Sequence, residues 1–170
     1  MKNIFFYLTL LLFASNTNAQ IIKAEIIATG LTCSMCSNAI NKQFKSLAEV
    51  EKVATDLNTN TFTVYLKSNA MITPKKLKEQ VEKAGFFVGS MVITLQFENL
   101  KMEDNLTVNK DNLSLIFIDS KPKILNGETR VKILDKGFVT QKEFKKLSKS
   151  YAKYSSYFEG VENNYHVKTI

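Results

Sequence analysis

"AEIIATGLTCSMCSNAINKQF", Ala24 to Phe44, changes its period halfway along. Up to Thr29 the apolar residues alternate: Ile22, Ala24, Ile26 and Ala28 fall on one face and Lys23 and Glu25 on the other, as in a half-buried strand. Past Gly30 the spacing becomes helical, with Ile40, Phe44 and Leu47 at i, i+4 and i+7. A strand therefore turns into a helix within "GLTCSMC", and both cysteines of the chain, Cys33 and Cys36, stand at that junction. Two thiols at this spacing can bind a soft metal, exchange electrons with other thiols, or close a small disulfide.

Downstream, the pattern continues in short units. A second strand is predicted from Val50 to Leu57 and is followed by turn residues Asn58-Thr59-Asn60. "TFTVYLK" then alternates with Phe62, Val64 and Leu66 inward. In "ITPKKLKEQVEKAGF", Thr73 suits an N-cap and Pro74 the first helical position. Leu77, Val81 and Ala84 form the buried stripe of that helix, and Gly85 stops it. A fourth strand is expected from Phe86 or Phe87 to about Ile93. The order is βαββαβ, the ferredoxin-like split unit of an α+β protein.

These residues also carry a resemblance. Residues 22 to 93 resemble the heavy-metal-associated domain of copper chaperones, metal-pumping ATPases and the periplasmic mercury-binding protein. "GLTCSMC" stands against that family's Gly-Met-Thr-Cys-x-x-Cys, and "ATDLNTNTFTVYL" and "LKEQVEKAGF" match its middle strands and second helix. The resemblance implies that Cys33 and Cys36 are metal ligands and that Gly30 lets the loop turn. It places Leu31 where the family's methionine supports the loop, and Phe86 where bacterial copper chaperones commonly carry tyrosine. Thr32 stands where zinc- and cadmium-selective relatives often have aspartate, so Cu(I) is the expected ion and Hg(II) the next. The implied partner is a metal-transporting ATPase or another metal-binding protein with an acidic docking surface. Lys42 and Lys45 on the first helix and Lys75, Lys76 and Lys78 on the second are its candidate docking residues.

The chemistry of the pair agrees with a soft metal. Unpaired N–H groups and the dipole at a helix start favour thiolate, and two thiolates suit an ion content with two or three soft ligands. Structural zinc normally takes four ligands, and the chain's single histidine, His166, lies far along the sequence. A structural disulfide across so short a loop contributes only about 2 kcal/mol. A thiol-disulfide oxidoreductase is the rival reading, because thioredoxin-like enzymes also place Cys-x-x-Cys at a helix start and use a Thr-Pro pair. Against it, Thr73-Pro74 begins a helix, where the thioredoxin proline precedes a strand. Thr32 also replaces the aromatic residue usual before the first cysteine. Met35 is expected at the surface, and His166, Met91 and Met102 as packing residues. No nucleophile motif or phosphate-binding glycine loop suggests an enzyme built on other residues.

The remaining sequence sets context. "MKNIFFYLTLLLFASNTNAQ" has one lysine, an apolar run from Ile4 to Phe13 and small polar residues up to Ala19, the pattern of a secretory signal over 1–19. That run is about half of the roughly 20 residues a spanning helix needs, so no permanent membrane anchor is expected. The protein is expected in the periplasm or secreted, after cleavage near Ala19. The net charge of +7 is spread along the chain without a nucleic-acid arm.

Residues 94 to 170 read as a small, mainly antiparallel β domain. "NLSLIFID" alternates, and Asn126-Gly127 between "KPKIL" and "ETRVKIL" signals a type I′ hairpin. "TQKEFKKLSKSYAKYSSYF" predicts a helix over about 141–158, opened by a capping box of Thr140 and Glu143. Phe144, Leu147, Tyr151, Tyr154 and Phe158 form its apolar side. "YHVKTI" is expected to be a closing strand.

Overall fold

The structure is a computed structural model that describes residues 20–31, 34–110 and 113–170. Residues 1–19, where a secretory signal is expected, and Thr32 and Cys33 lie outside the described residues. The first half runs β1 (Gln20–Thr29), α1 (Ser34–Lys45), β2 (Val50–Asp56), β3 (Thr61–Leu66), α2 (Pro74–Lys83) and β4 (Phe87–Met102). The second half adds β5 (Leu106–Lys110), β6 (Leu113–Phe117), β7 (Lys123–Ile133), α3 (Gln141–Ser150), a 3-10 turn (Ser155–Phe158) and β8 (Asn164–Thr169).

The expected βαββαβ unit is present, and its local causes are visible. Thr73 is extended, and its hydroxyl accepts the Lys76 N–H at 3.2 Å, so α2 starts at Pro74. Leu77 and Val81 of α2 join Ile40 and Phe44 of α1 in a fully buried layer over Ala24, Ile26, Phe62 and Val64 of the sheet. Phe44 and Phe62 meet with ring centroids 5.9 Å apart. Each such side chain contributes about 1.5–3 kcal/mol when fully withdrawn from water. At the start of β1, Ile21 rather than Ile22 enters the core. A register shift between Ile21 and Lys23 inserts one residue and changes the face.

The second half extends the same sheet. The strand order is β2-β3-β1-β4-β7-β8-β6-β5. β4 continues through the expected boundary at 93/94, pairing with β1 along one edge and with β7 along the other. Its inward series Met91, Ile93, Leu95 and Phe97 crosses that point without a break. The pairs are antiparallel except for β6 with β8, which run parallel.

Two expectations for this half are corrected. Asn126-Gly127 makes no hairpin: both residues lie inside β7, with Gly127 opposite Phe97. The register shifts between Phe97 and Leu100, so Glu98 and Asn99 of β4 oppose Asn126 alone. This bulge uses positive φ at Asn99 (49°) and Gly127 (85°). The left-handed conformation that serves a tight turn serves the bulge equally. It also keeps Leu100 and Met102 on the core side with Phe97, where an unbroken alternation from Phe97 would have turned both to the opposite face.

The last helix is shorter than the expected 141–158. α3 is capped by the Thr140 hydroxyl and ends at Ser150, and a 3-10 turn follows after an extended Tyr154. The break advances the phase, so Tyr157 is buried and Phe158 exposed. Tyr151, Tyr154 and Tyr157 can then all pack against Ile116, Ile118 and Leu134 on the sheet face opposite α1 and α2. The Tyr157 hydroxyl donates to the Leu134 carbonyl at 2.6 Å, and burial pushes its phenol pKa upward. Among the described residues no helix is long and apolar enough to cross a membrane.

Candidate metal site

The site is assembled where β1 ends. Thr29 pairs with Phe87, the first residue of β4, and the chain turns at Gly30 with φ of +89°. A Cβ there would make only an ordinary 3.8 Å contact with the Phe86 ring. Glycine is therefore required by the left-handed backbone, not by lack of room. Leu31 is half-buried and packs against the main core, as expected of a residue supporting the loop. Helix α1 then opens, and Cys36, its third residue, is half-buried in the first turn. Cys33 is three residues earlier in the chain, and with Thr32 it falls outside the described residues.

Phe86 reaches the loop through the end of α2. The Gly85 N–H donates to Glu82 O at 2.9 Å and the Phe86 N–H to Val81 O at 3.2 Å, closing the helix and setting the half-buried ring beside Gly30. On the other flank, the Ala28 N–H donates to Asn60 O in the β2–β3 turn. Met35 is 81% exposed and Leu57 57%, and both line a shallow hollow with Ser37, Asn38, Asn41 and Thr55. The arrangement offers sulfur at the positive end of a helix, with one aromatic ring for shelter and open surface alongside.

The candidate docking lysines lie elsewhere. β1 and β4 meet at the loop end through Thr29 and Phe87, whereas β2 begins at the other end, where Val50 pairs with Leu66. Helix α1 runs away from the loop and α2 runs back toward it. Lys42 and Lys45 at the end of α1, and Lys75 and Lys76 at the start of α2, therefore sit at the remote end. Lys45, nine residues beyond Cys36, is about 13 Å farther along the helix axis. Lys75 is paired with Glu162 at 2.5 Å, and its N–H donates to the Tyr165 hydroxyl at 3.2 Å. Lys78 is paired with Glu82 at 2.8 Å. These two lysines tie α2 to the second half of the chain and to itself.

His166 is not near the loop. It is 3% exposed on β8, with Nδ1 2.8 Å from Asp135 Oδ1 and Nε2 3.0 Å from Ser156 Oγ. Both ring nitrogens have protein partners, and Met91 and Met102 are buried in the main core, in keeping with packing roles. The sequence reading missed Phe87, which is 69% exposed beside the loop. "GFF" carried the signal: where two phenylalanines open a strand, alternation sends only one inward.

Residues 25–87 match the heavy-metal-associated domain, and the chain belongs to that metal-binding family. Three solved structures are similar to this part of the chain. The yeast copper transporter domain Ccc2a, solved in apo and Cu(I)-loaded states, is 34% identical, with 38% of this chain and 88% of that chain covered and a TM-score of 0.35. A copper-binding domain from HMA7, a P-type ATPase, is 30% identical, with 39% and 88% covered and a TM-score of 0.36. The N-terminal domain of a potential copper-translocating P-type ATPase from Bacillus subtilis, in its Cu(I)-loaded state, is 26% identical, with 46% and 89% covered and a TM-score of 0.36. No curated protein matches the chain.

Proposed function

We propose that this chain is an exported heavy-metal-binding protein that holds one Cu(I) between the thiolates of Cys33 and Cys36 and passes it to a partner by ligand exchange. The observation that carries the reading is the placement of Cys36 in the first turn of α1, at Cys-x-x-Cys spacing, within a segment that matches the heavy-metal-associated domain. The helix start favours thiolate, and a pair of soft anionic ligands suits Cu(I), with Hg(II) as the next candidate cargo. An incoming thiolate from a metal-transporting ATPase or another metal-binding protein adds to the two-coordinate ion and displaces one cysteine, and a second thiolate of the partner then displaces the other. The signal pattern of residues 1–19 supports export, to the periplasm or beyond.

The role is carriage, not catalysis. Thr73-Pro74, which resembled a redox enzyme's pair in sequence, opens α2 at the sheet end remote from Gly30, and this weighs against a thiol-disulfide oxidoreductase. Competition between the reduced protein and a chromogenic Cu(I) chelator tests the proposal. One tightly held ion is expected, with Cys33→Ser and Cys36→Ser each losing at least a hundredfold in affinity. Affinity unchanged in both variants would overturn it. Insulin reduction with turnover, abolished by Cys33→Ser, would instead establish the oxidoreductase.

A further inference from the structure

Beside the metal loop the two halves of the chain enclose a cleft of about 770 Å³. One wall belongs to the metal-binding half: Thr29, immediately before Gly30, with Phe87 and Val88 of β4 and Glu82 of α2. The other wall is Lys136, Gly137 and Val139 with the start of α3, Thr140 to Lys145, where Phe144 and Lys145 line it. An isolated bridge between Ser90 and Val139 fastens the second wall to β4. The cleft therefore exists before anything enters it, and an occupant has no closure to drive.

Its chemistry is apolar inside and positive at the rim. Phe87 exposes most of its ring at the mouth, and unlike a lone surface hydrophobe it continues a concave apolar surface through Val88, Val139 and Phe144. A rigid aromatic side chain next to a pocket is the kind of group that anchors an interface. Glu82 is neutralised by Lys78 at 2.8 Å. Lys136 and Lys145 are exposed and make no ion pair among the described residues, so the uncompensated charge at the rim is positive. The complement is a carboxylate-bearing surface with an apolar side chain between its charges.

Building on the proposed metal transfer, we infer that this cleft seats the metal-exchange partner: an acidic loop of a metal-binding protein inserts an apolar side chain against Phe87 while its carboxylates meet Lys136 and Lys145. The second half of the chain thereby supplies one side of the docking surface. An ion held at Cys36 and a partner seated against Thr29 and Phe87 lie at the same end of the sheet, as ligand exchange requires. Lys42, Lys45, Lys75 and Lys76, at the other end, take no part.

The test measures docking without metal. The probe is the heavy-metal-associated domain of a copper-translocating ATPase chosen for net negative surface charge, titrated into the isotopically labelled full chain and followed by NMR. Amide shifts are expected to concentrate at Thr29, Phe87, Lys136 and Lys145. Lys136→Glu with Lys145→Glu should weaken binding at least tenfold, as should conversion of the probe's surface carboxylates to amides, while chelator competition returns the wild-type Cu(I) affinity. Phe87→Ser, at an exposed position, should weaken binding at least fivefold. Binding within twofold of wild type in the double-charge variant overturns the inference, as do shifts confined to the Lys42 and Lys75 end or concentration-dependent self-association through the cleft. A chain that docks the probe but holds no Cu(I) would refute the metal reading alone. A chain that holds Cu(I) but ignores the probe would refute the docking alone.

Discussion

A single methyl group added at Gly89 should unsettle the metal loop from behind. Gly89 is a buried residue of β4, and a Cβ built there would lie 2.5 Å from Thr29 Cγ2. Carbon atoms prefer about 3.5–4.0 Å, so roughly 1 Å must be found. Thr29 cannot easily yield it. Its side chain is β-branched, with few rotamers, and its hydroxyl donates to the Phe87 carbonyl at 3.3 Å, across the pair that anchors both strands to the loop. Rotation sacrifices that bond, worth about 0.5–1.5 kcal/mol, and holding the rotamer forces β1 and β4 apart. Overpacking of this kind costs about 1–3 kcal/mol, so Gly89→Ala should lower the melting temperature by roughly 2–12 °C for a chain of this size. Because Gly30 follows Thr29 directly, Cu(I) affinity should fall as well, by up to about tenfold. The decisive control is Thr29→Ser, which removes Cγ2 and keeps the hydroxyl. The other nearby atoms lie at ordinary distances, with Ile27 O at 3.5 Å and Thr140 Cγ2 at 3.9 Å, so the serine background should recover most of the loss by thermal melting and by chelator competition. An alanine that destabilises equally with threonine or serine at position 29 would refute this account.

Other substitutions isolate single terms. Gly127→Ala meets no atom within 4 Å at φ of +85°. Its cost, about 1–2 kcal/mol by urea denaturation, should therefore be backbone strain alone and should be smaller for Gly127→Asn. The Thr94 hydroxyl is buried, the residue being 2% exposed, and has no hydrogen-bond partner among the described residues. Thr94→Val should raise stability by about 1 kcal/mol in the same assay, because the isosteric methyl removes an unsatisfied polar atom. In the β2–β3 turn, the Thr59 hydroxyl and the Asn58 N–H hold the Asp56 carboxyl below its usual range. A carboxyl with a depressed native pKa stabilises the fold above its unfolded value and loses that contribution as pH falls through the native one. Thr59→Val should move the Asp56 titration, followed by carboxyl carbon NMR, back toward the ordinary midpoint, and an unmoved midpoint would count against the hydroxyl as cause.

The first half of the fold was legible because its signals are local and agree with one another. Alternation at Phe62, Val64 and Leu66, the Thr73-Pro74 start and the Gly85 stop each specify one element without reference to distant residues. The helix start that carries Cys36 was legible for the same reason, the change of period being a property of a few neighbouring residues. Partnership between strands was not legible: the alternation through Met91, Ile93, Leu95 and Phe97 says that β4 is long, but nothing in it names β7 as the neighbour. Asn126-Gly127 misled because bulge and hairpin ask for the same left-handed backbone. The final helix misled because the stripe continues past Tyr151 while burial of Tyr157 requires a break. The distance of Lys42, Lys45, Lys75 and Lys76 from the loop follows from the topology. In a βαββαβ unit the end of the first helix and the start of the second share the pole away from the first loop, so chain order alone could have placed them.

Continuity of β4 also governs which backbone edges this protein offers to other chains. In the first half alone, β4 would be an outermost strand, with a row of unspent N–H and C=O groups inviting another strand. β7 occupies that row from Val92 to Met102, so that margin moves to β5, while β2 stays outermost at the other extreme of the sheet. β2 presents exposed Glu51 and Lys52 and meets β3 through a register shift next to them, a twisted and charged border that resists templated pairing. The proposed metal exchange would benefit from such borders: contact can be confined to side chains, and neither molecule is drawn into a shared sheet that would outlast the exchange.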